Sequence, residues 1–338
     1  MNKKPDVTIY DIAEKLGISA STVSRALKGN PAISEKVTKR IQNIAGRMCY
    51  QPNVFAANIR RKKTNTIGVL IPRINSEFMS KAIQSIENVL HEAGYNVLIS
   101  QSDESYKKEQ VNARTLFNSR VDGLIVSLAN ETQQYDHFLP FLKKNIPVVF
   151  FDRVCWQINS TRIVIDDENA AFRAVSYLIR QGRKNILIIT GTGIRNIYSD
   201  RLNGYKKALL KSGIKFDRNL VFESNLQLEN SFGIIEEALK MDKIPDGIFC
   251  CNDSSAIGCI LALKKKKVKI PDDISVVGFN NDSGTVIVEP NLTTISHPVK
   301  QMGKLAAEKL LHVLGTDKNS IISETVTLKA KLIIRQSA

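Results

Sequence analysis

Two groups of side chains in this sequence have types and spacings suited to binding chemistry. The first is a short segment near the N terminus with small, hydroxyl and guanidinium side chains: Ser19, Ala20, Ser21, Thr22 and Arg25. Hydroxyls and a guanidinium can hydrogen-bond to phosphate oxygens and to the edges of bases. The second group consists of polar residues that follow predicted buried strands, where parallel sheets bind small molecules.

Motifs for catalysis and for metal binding are missing from the sequence. Gly191-Thr192-Gly193 completes neither a GxGxxG nor a Walker motif, and neither GxSxG nor HExxH occurs. The four histidines are scattered, and the five cysteines form no cluster with zinc-ligand spacing. We therefore expect that the protein is not an enzyme, uses no metal or cofactor, and binds a small molecule without transforming it.

The positive charge of the chain is concentrated at its N-terminal end. The net charge of the 338 residues is +15. Residues 1–63 carry 13 basic and four acidic side chains, a net charge of +9, so a fifth of the chain holds more than half of the excess. A basic head is typical of proteins that bind a polyanion, although charge alone would also fit a merely soluble, basic surface.

The sequence shows no sign of export or of membrane insertion. No stretch approaches the ~18 consecutive apolar residues of a transmembrane helix, and residues 1–6 are polar. Cys250 and Cys251 follow an apolar run and are predicted to be core residues, and the odd number of cysteines fits a reducing compartment. We therefore expect a cytoplasmic protein without a membrane partner.

The N-terminal residues have the apolar periodicity of three short helices. The first is predicted to end at Gly17, the second to begin after an N-cap at Ser19, and the third to begin near Ser34. The inward positions are Ile9, Ile12, Ala13 and Leu16; Val23, Ala26 and Leu27; and Val37, Ile41 and Ile44. This pattern is that of a helix-turn-helix, whose second helix enters the major groove of DNA by its N-terminal end.

From residue 66 onward, short apolar strands alternate with amphipathic helical segments, which predicts parallel sheets covered on both faces. Two series of strands predict two doubly wound lobes with a ligand cleft between them. The predicted strands are residues 66–71, 96–100, 123–127 and 148–151, then 163–165, 185–190, 247–251 and 275–279. The predicted helices are residues 80–93, 169–181, 200–212, 231–241 and 254–264.

Three segments carry a resemblance to a known family. Tyr-Asp-Ile-Ala at 10–13, Thr-Val-Ser-Arg-Ala-Leu at 22–27 and Tyr-Gln-Pro-Asn at 50–53 resemble the lactose-repressor (LacI/GalR) family of bacterial regulators. The resemblance covers nearly the whole chain. It implies an all-α helix-turn-helix head followed by an α/β periplasmic-binding-protein-like core of two doubly wound lobes. It also implies a homodimeric repressor of a double-stranded DNA operator, controlled by a small-molecule effector, a sugar or sugar derivative.

We expect three parts in the chain. Residues 1–50 form the DNA-binding head, residues 51–65 a hinge helix or linker, and residues 66–338 the ligand-binding core. Within the core, the resemblance assigns about 66–162 and 294–323 to lobe one. It assigns about 163–293 and 324–338 to lobe two.

The resemblance implies roles in DNA binding for seven residues. Ala20, Ser21 and Arg25 occupy positions that read base edges in this family, while Thr8, Ser19 and Thr22 occupy positions that contact phosphates. Ile59 stands where the family usually places a leucine that wedges into the minor groove, and the β-branched side chain is a departure. An alternative is that Ile59 is only one apolar residue in a helical linker.

Candidate effector contacts come from loops that follow strands. They are Asn75, Phe78, Asp103, Arg153, Arg195, Arg201, Asn252, Asp253 and Asn280. Ser76, Glu77, Ser102 and Asp152 belong to the same loops. The three arginines together favour an anionic effector such as a sugar acid or phosphosugar. Asp152, Asp166 and Asp253 have a structural alternative, since each can cap a helix or bond loop amides.

Two other functions compete with the regulator hypothesis. A ligand-binding protein of the periplasmic type would share the core, but the basic head and the polar N terminus count against it. An enzyme on a doubly wound fold is the third possibility, and it finds no catalytic motif in the sequence. Binding to DNA would discriminate the regulator from both.

Overall fold

The computed structural model describes residues 7–50, 63–192, 194–316 and 323–338. The chain divides into two compact units between Thr64 and Asn65, which we call the head and the core. Residues 51–62 of the predicted hinge helix or linker, and with them Ile59, lie outside the described residues.

The described part of the head contains helices α1 (Ile9–Leu16), α2 (Ala20–Leu27) and α3 (Glu35–Arg47). Ile12, Val23 and Ile41, one from each helix, are fully buried in a shared core. The prediction that Val37 points inward is wrong, since 36% of it is exposed. The buried face of α3 lies on its C-terminal part, where Ala45 follows Ile41 by one turn.

The core contains twelve described strands in two six-stranded, mostly parallel sheets. They are β1 (Thr66–Ile71), β2 (Asn96–Gln101), β3 (Gly123–Val126), β4 (Val148–Phe151), β5 (Thr161–Ile165), β6 (Ile186–Thr190), β7 (Val221–Glu223), β8 (Gly247–Cys250), β9 (Ser275–Asn280), β10 (Thr293–Ser296), β11 (Thr325–Leu328) and β12 (Lys331–Ile333). Lobe one has the order β11-β5-β4-β3-β1-β2 and lobe two the order β12-β10-β9-β8-β6-β7. Only β12 is antiparallel to its neighbour. The predicted strands are all present, with ends shifted by up to two residues.

Eight α-helices connect these strands in the described part of the core. They are α4 (Glu77–Glu92), α5 (Tyr106–Asn118), α6 (Leu139–Lys143), α7 (Asp167–Arg180), α8 (Asn196–Lys211), α9 (Asn230–Ala238), α10 (Asp253–Lys265) and α11 (Val299–Gly315). In lobe one α4 packs on α11, and in lobe two α7 packs on α8. None of the helices in the described residues has the length and apolar character needed to cross a membrane.

The predicted lobe boundaries need correction at three points. Strand β5, residues 161–165, pairs with β4 and therefore belongs to lobe one, so the first crossing follows residue 165 rather than 162. Strand β10 pairs with β9 in lobe two, so the second crossing lies near His297 rather than 294. Strand β11 pairs with β5 and returns the chain to lobe one before β12 enters lobe two. The sequence could not show these crossings, because a strand belongs to the lobe whose strands it pairs with. The apolar pattern of a strand does not reveal its pairing partner.

Candidate functional site

The turn between α1 and α2 is built by two residues. Gly17 ends α1 with a φ of 65°, a left-handed conformation that favours glycine. Ser19 caps α2, and its Oγ accepts a hydrogen bond from the N–H of Thr22 at 3.2 Å. The turn therefore fixes where α2 begins and which of its side chains face solvent.

The solvent face of α2 carries the residues expected to contact DNA. Ser21 and Arg25 are exposed, while Ala20 and Thr22 are half-buried. The hydroxyl of Ser19 lies 2.8 Å from the hydroxyls of both Ser21 and Thr22. These short side chains form one polar surface, from which the longer Arg25 projects at the next turn.

Thr8 is the N-cap of α1. Its N–H and its hydroxyl both donate to Oδ2 of Asp11, at 2.6 and 2.7 Å. These bonds lower the pKa of Asp11. The exposed Thr8 therefore has a structural role at the start of α1, beside the phosphate contact that the resemblance implies.

In the core, a cavity of about 420 Å³ opens between the two lobes. Its size is typical of small-molecule sites. Six of the nine predicted effector residues line it: Asn75, Phe78, Arg153, Arg201, Asn252 and Asn280. Glu77, Ser76 and Asp152, from the same predicted loops, also line it.

The other three predicted residues lie elsewhere. Asp103 is on the surface and pairs with Lys108 at 3.0 Å. Asp253 is fully buried, where it accepts hydrogen bonds from the hydroxyl of Thr294 at 2.5 Å and the N–H of Asp282 at 2.8 Å. Both carboxylate oxygens are thus used within the protein, which fits the structural alternative in which Asp253 bonds loop amides. Arg195 is buried and donates to the carbonyl of Thr132 in lobe one.

Arg153 stands in the cavity wall with its charge already paired. It donates to Glu104 at 2.6 Å and to the hydroxyl of Tyr198 at 3.2 Å, so it links lobe one to lobe two. Asn130 also donates its N–H to Glu104. Little of the charge of Arg153 is left for an anionic ligand.

The charge of Arg201 is also paired within the protein. It donates to Oδ1 of Asp167 at 2.7 Å and to the carbonyl of Cys251 at 2.6 Å. Its guanidinium carbon lies 3.7 Å from the centre of the Phe279 ring, which is within range of a cation–π interaction. Burial raises the pKa of Asp167 to about 7, and the charge of Arg201 opposes that rise.

Asp152 is a buried acceptor in the cavity wall. The residue is 93% buried, its φ is 60°, and among the described residues its carboxylate receives one long hydrogen bond, from Ser127 at 3.5 Å. Burial raises its pKa. A buried carboxylate with unused lone pairs is suited to accept hydrogen bonds from ligand hydroxyls.

Carboxylates from both lobes meet at the cavity mouth. Glu77 of lobe one accepts hydrogen bonds from the N–H and the hydroxyl of Ser283 in lobe two, at 2.8 and 2.7 Å. Burial, and next the charge of Glu77, raise the pKa of Asp282 to about 6. The mouth therefore contains both a bond between the lobes and a repulsion between like charges.

Sequence reasoning missed several residues of the cavity wall. The polar ones are Arg73, Glu104, Tyr198, Asn225, Gln227, Glu229, Ser254 and Asp282. Glu104 and Asp282 follow predicted loop residues by one or two positions, so a wider window after each strand would have included them. Asn225 and Gln227 follow β7, a three-residue strand whose pattern gave no prediction. No group of His, Cys, Asp and Glu able to hold a metal ion occurs among the described residues.

Comparison with known proteins identifies the family. Residues 8–53 match the lacI family of bacterial regulatory proteins, and residues 175–338 match the periplasmic binding protein-like domain. The chain is 32% identical to catabolite control protein A of Priestia megaterium over 98% of this chain and 99% of that protein. The chain belongs to the lacI family of bacterial regulatory proteins.

Two further relatives of this lacI-family regulator extend over its whole length. The ribose operon repressor of Haemophilus influenzae is 28% identical over 98% of each chain. The crystal structure of the lac repressor dimer bound to operator and the anti-inducer ONPF superposes with a TM-score of 0.85, at 23% identity and 98% and 99% coverage. The predicted fold class and the prediction of a DNA-binding transcriptional regulator are confirmed. The roles of single residues remain predictions.

Proposed function

We propose that this lacI-family regulator is a homodimeric repressor whose operator affinity is controlled by an uncharged polyhydroxyl compound, a sugar or sugar derivative, bound between the lobes. It acts on double-stranded DNA in the cytoplasm and is not an enzyme. The exposed face of α2, with Ser21 and Arg25, reads the operator.

The charge of the cavity wall carries the proposal for the effector. Three arginines line the cavity, against five carboxylates: Glu77, Glu104, Asp152, Glu229 and Asp282. All three arginines have a carboxylate partner: Arg73 and Arg153 pair with Glu104, and Arg201 pairs with Asp167. Because an added anion would face unmatched carboxylates, the expectation of a sugar acid or phosphosugar is replaced by that of an uncharged ligand.

The same wall offers what hydroxyl-rich ligands need. Asp152 can accept hydrogen bonds, the amides of Asn75 and Asn280 can donate and accept them, and Phe78 gives an apolar ring against which a sugar face can pack. The name of the ribose operon repressor links a relative to a sugar operon, which supports this class of effector.

The ionisable groups around the cavity support binding without reaction. Burial raises the pKa of the Cys251 thiol to about 11, so the thiol stays protonated at neutral pH. Burial also lowers the pKa of His297 well below its usual value, and neither ring nitrogen has a hydrogen-bond partner among the described residues. Neither group is placed as a nucleophile or base.

An apolar surface on lobe two supports the homodimer. Val286 and Ile287 are 57% and 76% exposed, next to the half-exposed Leu261 of α10. Together with Ile257 and Val288, Leu261 and Ile287 surround a shallow depression. We propose a second copy of the chain as its occupant, because each chain supplies one α2 and the structurally similar lac repressor is a dimer. Ile287→Asp should then yield monomers in sedimentation, and a monomeric wild type would refute the dimer.

Matched ligands test the effector class. The melting temperature of the purified protein would be measured with glucose, ribose and cellobiose, and with gluconate and glucose 6-phosphate as the anionic counterparts of glucose. Ligand at 100 times its Kd stabilises by about 2.7 kcal/mol, which is readily seen as a shift. Shifts with uncharged sugars alone support the proposal. Shifts confined to the anionic compounds would contradict it.

A further inference from the structure

The first turn of α8 makes hydrogen bonds from lobe two to lobe one at several points. Arg195 donates to the carbonyl of Thr132. Asn196 donates to the carbonyl of Asp152 at 3.0 Å and accepts from the N–H of Val154 at 3.1 Å. We call this turn, residues 195–198, the interlobe clasp.

In lobe one, a buried carboxylate holds the loop to which Arg195 donates. Glu109 of α5 is fully buried and accepts three hydrogen bonds, from the N–H of Ala129 at 2.6 Å, the hydroxyl of Thr132 at 2.9 Å and the ring of His137 at 2.9 Å. The loop that offers its carbonyl to Arg195 is therefore fixed within lobe one. A fixed acceptor can hold its partner at a defined distance, which a loose loop could not.

Arg195 is built into the boundary between the lobes. Only 2% of it is exposed, and it is the largest fully buried side chain of the described residues. Its Nε has no hydrogen-bond partner among those residues, and no carboxylate pairs with it there. Such burial is costly for a guanidinium, so it persists only where the surrounding structure holds it.

The clasp also borders the effector cavity. Ile197 and Tyr198 of the same turn line it, and Tyr198 accepts the hydrogen bond from Arg153. A ligand in the cavity would thus touch the turn that joins the lobes, whereas Arg195 is not among the residues that line the cavity.

From this arrangement we infer that Arg195 is a positioning residue that sets the separation of the two lobes, rather than an effector contact. Its consequence for regulation rests on the proposed effector site, but the separation itself does not. A residue of this kind changes the affinity for every ligand of the cavity by a similar factor, because it acts on the closed arrangement and not on one ligand group.

The test measures the distance between the lobes in protein without any ligand. Cys49 is the one exposed cysteine, so Cys49→Ser leaves four buried thiols. Spin labels are attached at two exposed positions, Lys143→Cys in lobe one and Lys240→Cys in lobe two. Pulsed electron paramagnetic resonance then measures the distance between the two labels. The melting temperature of each variant is recorded beside it.

Arg195→Ala and Asn196→Ala should both broaden the distance distribution and lengthen its mean, and Arg195→Lys should partly restore it. Ser199→Ala is the matched control, because the Ser199 hydroxyl donates to the carbonyls of Arg195 and Asn196 in its own turn and, among the described residues, to no group of lobe one, so the distribution should stay unchanged. A lower melting temperature with an unchanged distribution in both Arg195→Ala and Asn196→Ala would give the turn a purely structural role and overturn the inference. Failure of all sugars to stabilise the protein would refute the effector proposal without touching this result.

Discussion

The head and the core position their functional side chains in different ways. In the head, the residues predicted to contact DNA lie within 18 consecutive positions, from Thr8 to Arg25, and their side chains are mostly exposed. In the core, the cavity wall runs from Pro72 to Asp282 and depends on buried, charged side chains that other residues hold in place. Changes in the head should therefore affect binding, whereas changes in the core should affect binding and folding together.

The largest effect should come from the buried pair of Arg201 and Asp167. Arg201→Ala leaves Asp167 buried without its partner, which we expect to lower the free energy of unfolding by about 3–5 kcal/mol. Urea denaturation of the purified core and full chain would measure this. Lys207→Ala is the matched control, because Lys207 reaches the neighbouring Glu168 from the same helix in an exposed pair. An equal loss in both variants would contradict the difference between buried and exposed pairs.

Two glycines, Gly204 in the core and Gly17 in the head, are needed for different reasons. Gly204 leaves no room for a side chain, whereas Gly17 has a positive φ. A Cβ on Gly204 would lie 2.1 Å from the carbonyl oxygen of Glu168, so Gly204→Ala should force α7 and α8 apart at a cost of about 1–3 kcal/mol or more. Around Gly17 there is open space, and Gly17→Ala should cost only about 1 kcal/mol for the positive φ. Thermal unfolding of both variants would show the order, and a larger loss for Gly17→Ala would reverse it.

The head was largely predictable from its sequence because its contacts are local. The spacing of Ile12, Val23 and Ile41 and the cap at Ser19 follow from the geometry of helices. The prediction for Val37 was wrong because helix periodicity tells which residues share a face, but not how far along the helix the neighbours extend.

The core was predictable in its strands but less so in its cavity. Strand ends identified Asn75, Asn252 and Asn280, because the carboxyl ends of parallel strands meet in the cleft. Arg195 shows the limit of this rule. Its position follows a strand like the others, but its side chain points into lobe one, which only the packing of the lobes determines.

In the head, Arg25→Ala should weaken operator binding by about 1–3 kcal/mol and relax the preference at one base pair of each half-site. The reason is that an exposed guanidinium can bind guanine O6 and N7 in a bidentate manner. Binding to a set of single-base operator variants, selected first from random DNA, would measure this. A loss of affinity that is the same for all sequences would show that Arg25 contacts a phosphate instead.

The core should also show a pH dependence that the head does not share. Because the pKa of Asp282 is raised to about 6 in the folded protein, above the unfolded value near ~3.9, its contribution to stability is fully present below pH ~4. That contribution is lost as the pH rises through 6, with a slope of at most about 1.4 kcal/mol per pH unit. Asp282→Asn should flatten the profile of unfolding free energy between pH 4 and 7. A profile unchanged by the substitution would contradict the raised pKa of Asp282 in the folded protein.

The most direct test of a head controlled by the core is the operator affinity measured with and without the uncharged sugar that stabilises the protein most. We predict a change of 5–150-fold, corresponding to roughly 1–3 kcal/mol of coupling, in the wild type. Asp152→Asn, which keeps a residue that tolerates the positive φ, should retain operator affinity and lose the response to the sugar. A sugar that binds the core but leaves operator affinity unchanged in the wild type would contradict the proposed regulation.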